Sequence, residues 1–266
     1  MITALFPACL ALLFSAHSIA APAPKPAWLT TLRVAIDAGH GGNDFGTADA
    51  ANRIREKDLT LKIAKKLESR IKNLGIPVML TRYKDEYITL EERAKRANLF
   101  HATAFVSLHM NSSASPKDFG IETYILNHTT NERSLRLASI ENDHHRTDTL
   151  ALILSDLTTS ANEPDSVRLA YEVQATLVEH LREAQLLSRD RCVKQSLFYL
   201  LMKTEMPSIL VELGFMSNPP ERERLTKDHY QDRLSLALFH GILKFAKNAG
   251  KKLDIQTACR ALKSVK

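Results

Sequence analysis

Two histidines and two glutamates lie where strands are predicted to end or a helix to begin: His40, Glu56, His109 and Glu212. Two imidazoles and one carboxylate form a ligand set that holds zinc and leaves one position open for water. A further carboxylate beside such a metal is free to act as a general base. The residue types therefore predict a catalytic metal site, and they leave open which glutamate binds the metal.

Each of these residues also has an ordinary interpretation. His40 lies among glycines and could be a solvated loop residue, and Glu56 at a helix start could complement the helix dipole. Glu212 is harder to explain in this way, because a carboxylate that finishes an apolar strand is costly to desolvate unless a charge or a metal lies near. We favour the metal site because all four residues fall at equivalent points of the predicted fold.

The elements that position the first two residues form a βαβ unit. A β-rich segment over Thr31–Asp37 leads into the glycine-rich loop that contains His40. Apolar residues recur at helical spacing over Glu56–Leu74, and Gly75 ends this helix before a strand over Ile76–Thr81. This order is that of two parallel strands joined by a helix.

The alternation of helices and strands continues to the end of the domain. The predicted elements are a helix over Leu90–Phe100, strands over Ala104–Leu108, Ile121–Leu126 and Pro207–Glu212, and a closing helix over Asp228–Lys247. They predict a single α/β domain over residues 31–250, a mostly parallel sheet flanked by helices on both faces, and then a tail over 251–266. Ligands of such sheets bind at the carboxyl ends of the strands, where the four residues lie.

One stretch within this domain differs in character. Residues 127–165 begin with a polar run over Asn127–Arg133 and contain a short helical segment over Leu150–Leu157. We interpret this stretch as an insert on the domain surface.

The beginning of the chain indicates export. Met1–Ala20 is an apolar run that closes on Ser18-Ile19-Ala20, as in a signal peptide, and residues 21–30 are an Ala/Pro-rich tether. The run is shorter than a membrane span and no basic stop-transfer segment follows it, so we expect no stable membrane anchor. The alternative is a short membrane anchor.

The net charge of +6 indicates an anionic partner outside the cytoplasm. Nucleic acid is disfavoured, because no basic block interleaved with aromatic residues is present and export removes most opportunity. An anionic polymer of the cell envelope fits better. Cys192 and Cys259 remain after leader removal, and the sequence does not decide whether they pair.

Seven segments resemble, in order, the motifs of the type 3 family of zinc-dependent N-acetylmuramoyl-L-alanine amidases: Ile36–Gly42, Glu56–Asp58, Leu80–Arg82, Arg93–Asn98, Ser107–Asn111, Gly120–Tyr124 and Val211–Asn218. The resemblance covers about Leu32 to Ala246, with Ala38 where a proline is usual. It implies one zinc ion held by His40, Glu56 and His109, with Glu212 as the catalytic glutamate. It also implies a monomeric periplasmic enzyme that cuts the amide bond between N-acetylmuramic acid and L-alanine of peptidoglycan.

The resemblance suggests further roles around the site. Asp37, Arg82 and Asn111 are candidates to support the ligands or contact the substrate, with a cap or a surface ion pair as the alternative. Ile140-Glu141-Asn142 resembles part of an insert that, in Gram-negative members, blocks the zinc until an activator protein moves it. The insert is shorter here, so we expect Glu141 to be a solvated acid and not an inhibitory fourth ligand.

Three other functions remain as alternatives. A zinc peptidase that cuts within the stem peptide would use the same chemistry, and a wall-binding protein without catalysis would lack part of the ligand set. Ser69-Arg70-Ile71-Lys72 has the S-x-x-K form of penicillin-sensitive serine carboxypeptidases. Ser69 falls late in its predicted helix, whereas that nucleophile belongs at a helix N-terminus, so we disfavour this function.

Overall fold

The computed structural model describes residues 26–249 except for positions 50, 52, 143–148 and 187–188, and of residues 149–161 it describes the helical backbone. The predicted leader, most of the tether, the tail and Cys259 lie outside the described residues, as does the question of the cysteine pair. The end of the predicted tether is a helical turn, α1, over Ala27–Thr30. Among the described helices, none is long and apolar enough to cross a membrane.

Six strands form one sheet: β1 Val34–Ala38, β2 Val78–Leu80, β3 Ala104–Asn111, β4 Ile121–Leu126, β5 Asp190–Ser196 and β6 Ser208–Phe215. Their order across the sheet is β2-β1-β3-β6-β4-β5. All neighbours pair in parallel except β4 and β6, which are antiparallel. The expectation of a mostly parallel sheet is confirmed.

Helices cover both faces of the sheet: α2 Glu56–Asn73, α3 Leu90–Leu99, α4 Glu132–Glu141, α5 Thr149–Glu183, α6 Tyr199–Met202, α7 Pro219–Leu225 and α8 Asp228–Lys247. The apolar faces of α2, α5 and α8 build the larger core, which includes Ile63, Val173 and Leu238. Residues of α3, α4 and α6 build the smaller core on the other face, around Phe105 and Tyr124. The apolar residues that recur at helical spacing therefore face the sheet, as predicted, and form the inner sides of two helical layers.

The predicted surface insert is more deeply integrated than expected. The short helix over Leu150–Leu157 is part of α5, a helix of 35 residues. Leu137 and Ala138 of α4 are buried in the smaller core, and the C-terminal part of α5 lies in the larger core. A helix this long was not predicted because Pro164 lies within it, and a proline ordinarily ends or kinks a helix.

Because β4 runs antiparallel to β6, the start of β4 lies at the edge of the sheet where the neighbouring parallel strands end. In the antiparallel pair, Glu122 near the start of β4 lies opposite Glu212 near the end of β6. In the parallel pair on the other side, His109 of β3 lies beside the same Glu212. Side chains from three neighbouring strands thus meet at one edge.

Candidate metal centre

The structure brings together the residues singled out in the sequence. His40 lies just past β1, Glu56 is the first residue of α2, and His109 lies near the end of β3. Glu56 Oε1 is 3.1 Å from His40 Nε2 and 3.1 Å from His109 Nδ1. All three side chains are nearly buried, so their polar atoms face one another in a small enclosed space.

Backbone groups hold Glu56 in a fixed position. Its Oε1 accepts a hydrogen bond from the Met110 amide and its Oε2 accepts one from the Thr47 amide, both at 2.8 Å. The charges of both histidines, together with hydrogen bonds, lower the pKa of Glu56 far below its usual value, although burial opposes this. Glu56 is therefore an ionised and rigid carboxylate.

A hydrogen bond also orients His40. Its Nδ1 lies 2.8 Å from Asp44 Oδ2, so Nε2 is the nitrogen that faces Glu56. A carboxylate on the far nitrogen of an imidazole fixes its tautomer and is a common companion of metal-binding histidines. Asp44 was not singled out in the sequence, although its spacing of four residues from His40 was a usable signal.

The expectation that Glu141 is a solvated acid is wrong. Its side chain is 8% exposed, and Oε2 lies 2.9 Å from His109 Nδ1 and 3.4 Å from His40 Nε2. Glu141 is the last residue of α4, and the side chain of Asn142 bonds the Leu197 carbonyl and the Tyr199 amide of the domain body. This anchor brings the end of α4 over the two imidazoles, which the sequence pattern alone could not indicate.

The two carboxylates create a space that requires positive charge. Burial lowers the pKa of His109, but the nearby Glu141 and Glu56 outweigh this effect and raise that pKa to about 10. The pKa of His40 is likewise raised well above its usual value: burial opposes the shift, and Glu56 and Glu141 dominate it. Either protons on the imidazoles or a metal ion can supply the charge.

Glu212 lies beside this cluster and is fully buried. Neither of its carboxylate oxygens has a hydrogen-bond partner among the described residues. Burial raises the pKa of Glu212 well above its usual value, against the lowering effect of His109. A buried carboxyl group whose two oxygens have no other partner among the described residues is available to exchange protons with a molecule bound at the cluster.

Two buried arginines fix the loop that carries His40. Arg93 donates to the carbonyls of Ala38 and His40, both at 2.7 Å, and forms an ion pair with Asp37 at 2.8 Å. Arg82 donates to the carbonyls of Ala38 at 2.8 Å and Gly39 at 3.0 Å. The loop is strained, since His40 has a φ of 61°. Asp37 and Arg82 are thus placed to support the loop, and Arg93, which was not singled out, belongs with them.

Gly46 closes the loop against the cluster. Its φ is +61°, and a Cβ there would lie 2.5 Å from His40 Cδ2 and 2.6 Å from Glu56 Oε2. A residue without a side chain is therefore required for both backbone and spatial reasons.

Asn111, the remaining candidate, lies next to a buried acid. Its Nδ2 donates to Glu122 Oε1 at 2.6 Å, and Glu122 also contacts Arg191 at 2.8 Å and the ammonium of Lys194. Sequence analysis did not single out Glu122, Arg191 or Lys194 as site residues. Glu122 falls within a quoted motif, but both basic residues lie on β5, a strand that was not predicted.

The S-x-x-K motif does not contribute to this cluster. Ser69 and Lys72 are exposed near the end of α2, whereas Glu56 is at its beginning. Ser69 is thirteen positions after Glu56, which corresponds to about 20 Å of helix. The structure therefore offers no support for serine catalysis at Ser69.

The cluster fits a zinc ion by the chemistry and spacing of its donor atoms. In tetrahedral zinc sites, bonds of 2.0–2.2 Å place neighbouring ligand atoms roughly 3.3 Å apart. The contacts among His40, His109 and the two carboxylates range from 2.9 to 3.4 Å. His40 Nε2 and Glu141 Oε2 are also buried without a hydrogen-bond partner among the described residues, as expected of atoms that face a metal.

Fold and site together define a class: a hydrolase of open α/β architecture with a side-chain cluster that can hold a metal ion. The sequence profile of the N-acetylmuramoyl-L-alanine amidase family matches residues 34–244. The chain belongs to this family, whose members hydrolyse an amide bond of peptidoglycan.

Individual relatives agree with this assignment. A putative N-acetylmuramoyl-L-alanine amidase of Buchnera aphidicola is 30% identical over 80% of this chain and 95% of its own length. The crystal structure of an N-acetylmuramoyl-L-alanine amidase from Clostridium difficile 630 is 32% identical, covers 82% of this chain and 98% of its own, and superimposes with a TM-score of 0.65. The CwlD amidase from Clostridioides difficile, solved in complex with the GerS lipoprotein, is 27% identical with a TM-score of 0.61, over 81% of this chain and 98% of its own.

Proposed function

We propose that the chain is an exported zinc-dependent N-acetylmuramoyl-L-alanine amidase that acts in the periplasm during cell-wall remodelling. His40, Glu56 and His109 hold the metal, and Glu212 is the general acid and base. The observation that carries this proposal is the convergence of two imidazoles and a fixed carboxylate beside a buried carboxyl group without hydrogen-bond partners.

The residues divide the chemistry between them. Zinc, when bound by these ligands, supplies the Lewis acidity that polarises the scissile carbonyl and activates water. Glu212 takes a proton from the attacking water and delivers it to the departing amine of L-alanine, since neither of its buried carboxylate oxygens is held by another described residue. Asp44 and the Arg93–Asp37 pair keep His40 in place throughout.

We assign Glu56, not Glu141, as the resident carboxylate ligand. Both oxygens of Glu56 are held by backbone amides, whereas Glu141 Oε2 has no hydrogen-bond partner among the described residues. Glu141 instead takes the position that water or substrate needs, and restrains the enzyme until it is displaced. The complex of CwlD with GerS shows that a relative of this chain assembles with a protein partner, and a partner that moves the end of α4 would release Glu141.

The test combines metal analysis with product analysis. Glu212→Gln is expected to retain one zinc per chain and to lose about 10²- to 10⁴-fold in turnover of purified peptidoglycan. His109→Ala is expected to lose zinc as well. Mass spectrometry of wild-type products should show intact stem peptides that begin with L-alanine, while trimmed stems would indicate a peptidase. Wild-type turnover by the Glu212 variant would remove Glu212 from the mechanism.

Export is tested separately. Cell fractionation should place the protein in the periplasm, and N-terminal sequencing of that material should begin just after Ala20. A cytoplasmic protein that retains residues 1–20 would contradict this part of the proposal.

A further inference from the structure

A second groove opens beside the metal centre. It has a volume of about 660 Å³ and is lined by residues that include Asn111, Asp118, Glu122 and Arg136. Ile140, which is 57% exposed, lines both this groove and the smaller pocket of the metal centre. A molecule in the groove can therefore extend past Ile140 to the catalytic residues.

Most charges of the groove are neutralised within the protein. Asp118 accepts hydrogen bonds from Arg133 and Ser113. Glu122 is paired with Arg191 and Lys194, as described above. These contacts leave Asp118 and Glu122 occupied, whereas Glu132, which also lines the groove and is exposed, has no ion-pair partner among the described residues.

Arg136 is the basic side chain of the groove that has no such partner among the described residues. Its side chain is exposed and lines the groove, and no described residue forms an ion pair or a hydrogen bond with it. Glu132 is one helical turn away but does not form an ion pair with it among the described contacts. The groove therefore presents one uncompensated guanidinium, a group suited to binding a carboxylate through two parallel hydrogen bonds.

The position of Arg136 on α4 sets its distance from the reaction. Glu141 is five positions further along α4, which corresponds to about 7.5 Å along the helix. An extended peptide covers this distance in two residues, at about 3.4 Å each, and the long arginine side chain adds to the reach. A carboxylate bound there belongs to the second or third residue of a peptide whose first residue is at the metal centre.

We infer that the Arg136 groove binds the stem peptide of peptidoglycan and recognises a free carboxylate on its second or third residue, an inference that rests on the proposed function. The sugar then lies on the other side of Ile140, in the pocket lined by Tyr87, Ile88 and Leu90. The chemistry of the two spaces agrees with this division, because the exposed aromatic ring of Tyr87 suits the apolar face of a sugar ring and a free guanidinium suits an acid.

The test uses soluble muramoyl peptides in matched pairs, one with a free carboxylate and one with a carboxamide, at the second or at the third residue. At one of these positions, the wild-type kcat/KM should be higher for the carboxylate by about fivefold, as expected of a solvent-exposed ion pair. Arg136→Gln should abolish this preference and leave kcat/KM for the carboxamide unchanged, which also shows that the variant is folded. Arg233→Gln, on α8 across the sheet, should keep the preference.

Each other outcome is decisive. Equal wild-type rates for both substrates at both positions, or a preference that survives Arg136→Gln, would overturn the inference while the release of intact stems still supports the proposed function. An equal loss on both substrates would show that Arg136 acts structurally. Failure of both the wild type and Glu141→Gln, in which the restraint by Glu141 is removed, to cut either substrate would refute the proposed function, and the inference with it.

Discussion

Replacing Asp37 by asparagine removes the charge that neutralises Arg93 beneath the His40 loop. Burial raises the pKa of Asp37, but Arg93 and hydrogen bonds from Thr81 and Ser107 outweigh it and hold the pKa at about 2, against a usual 3.8. At 1.36 kcal/mol per pKa unit, this difference is worth about 2.5 kcal/mol of folding stability at neutral pH. The variant should lose at least that much, since Arg93 also becomes a buried charge without a partner.

The sign of the pH dependence follows from the direction of the shift. Because the folded-state pKa is the lower one, the stabilisation is complete above about pH 5 and declines as the pH falls through 3.8 toward 2. About 1.3 kcal/mol should remain at pH 3. Urea unfolding of both proteins between pH 7 and 3 measures this difference, and comparing them cancels the other titrating groups.

A surface ion pair provides the matched control. Asp232, which is 52% exposed, pairs with Arg70, and Asp232→Asn should cost less than about 1 kcal/mol. A cost for Asp37→Asn that is equally small at pH 7, or one that does not decrease toward pH 3, would refute the argument that this buried pair stabilises the loop.

Two further substitutions test the metal centre. Gly46→Ala should fold but bind zinc about 10- to 100-fold more weakly, because its Cβ would clash with His40 and Glu56. Titration with a chromogenic chelator measures the zinc affinity, and an unchanged affinity would show that the loop can move to accommodate the Cβ. Glu141→Gln should retain zinc and should hydrolyse purified cell wall faster than the wild type when both are assayed without a partner protein. The reason is that an ionised carboxylate no longer competes for the open coordination position of the metal. Loss of zinc from that variant would instead make Glu141 a resident ligand.

The sequence predicted the parts of the site that depend on local pattern. His40, His109 and Glu212 follow or end strands with apolar residues, and such strands are buried whatever surrounds them. The carboxyl ends of parallel strands meet at one edge, so the placement of these side chains follows once the strands are recognised.

The missed features depend on contacts between distant segments. Strand β5 has the sequence Asp-Arg-Cys-Val-Lys-Gln-Ser, which lacks a run of β-branched or aromatic residues, and it forms an edge of the sheet. Its Arg191 and Lys194 were missed with it. Glu141 was misjudged because its burial depends on Asn142 bonding residues more than fifty positions away.

The reversal of β4 has a consequence for how this enzyme can vary. The chain leaves β4 at the end of the sheet remote from the catalytic edge, and α4 returns it over ten residues. The length of α4 thus sets the position of Glu141. One added residue would advance Glu141 by about 1.5 Å along the helix axis and rotate it by about 100°, away from the histidines. Substitutions along the exposed side of this helix can alter what the groove accepts, while the number of residues in it has to stay constant.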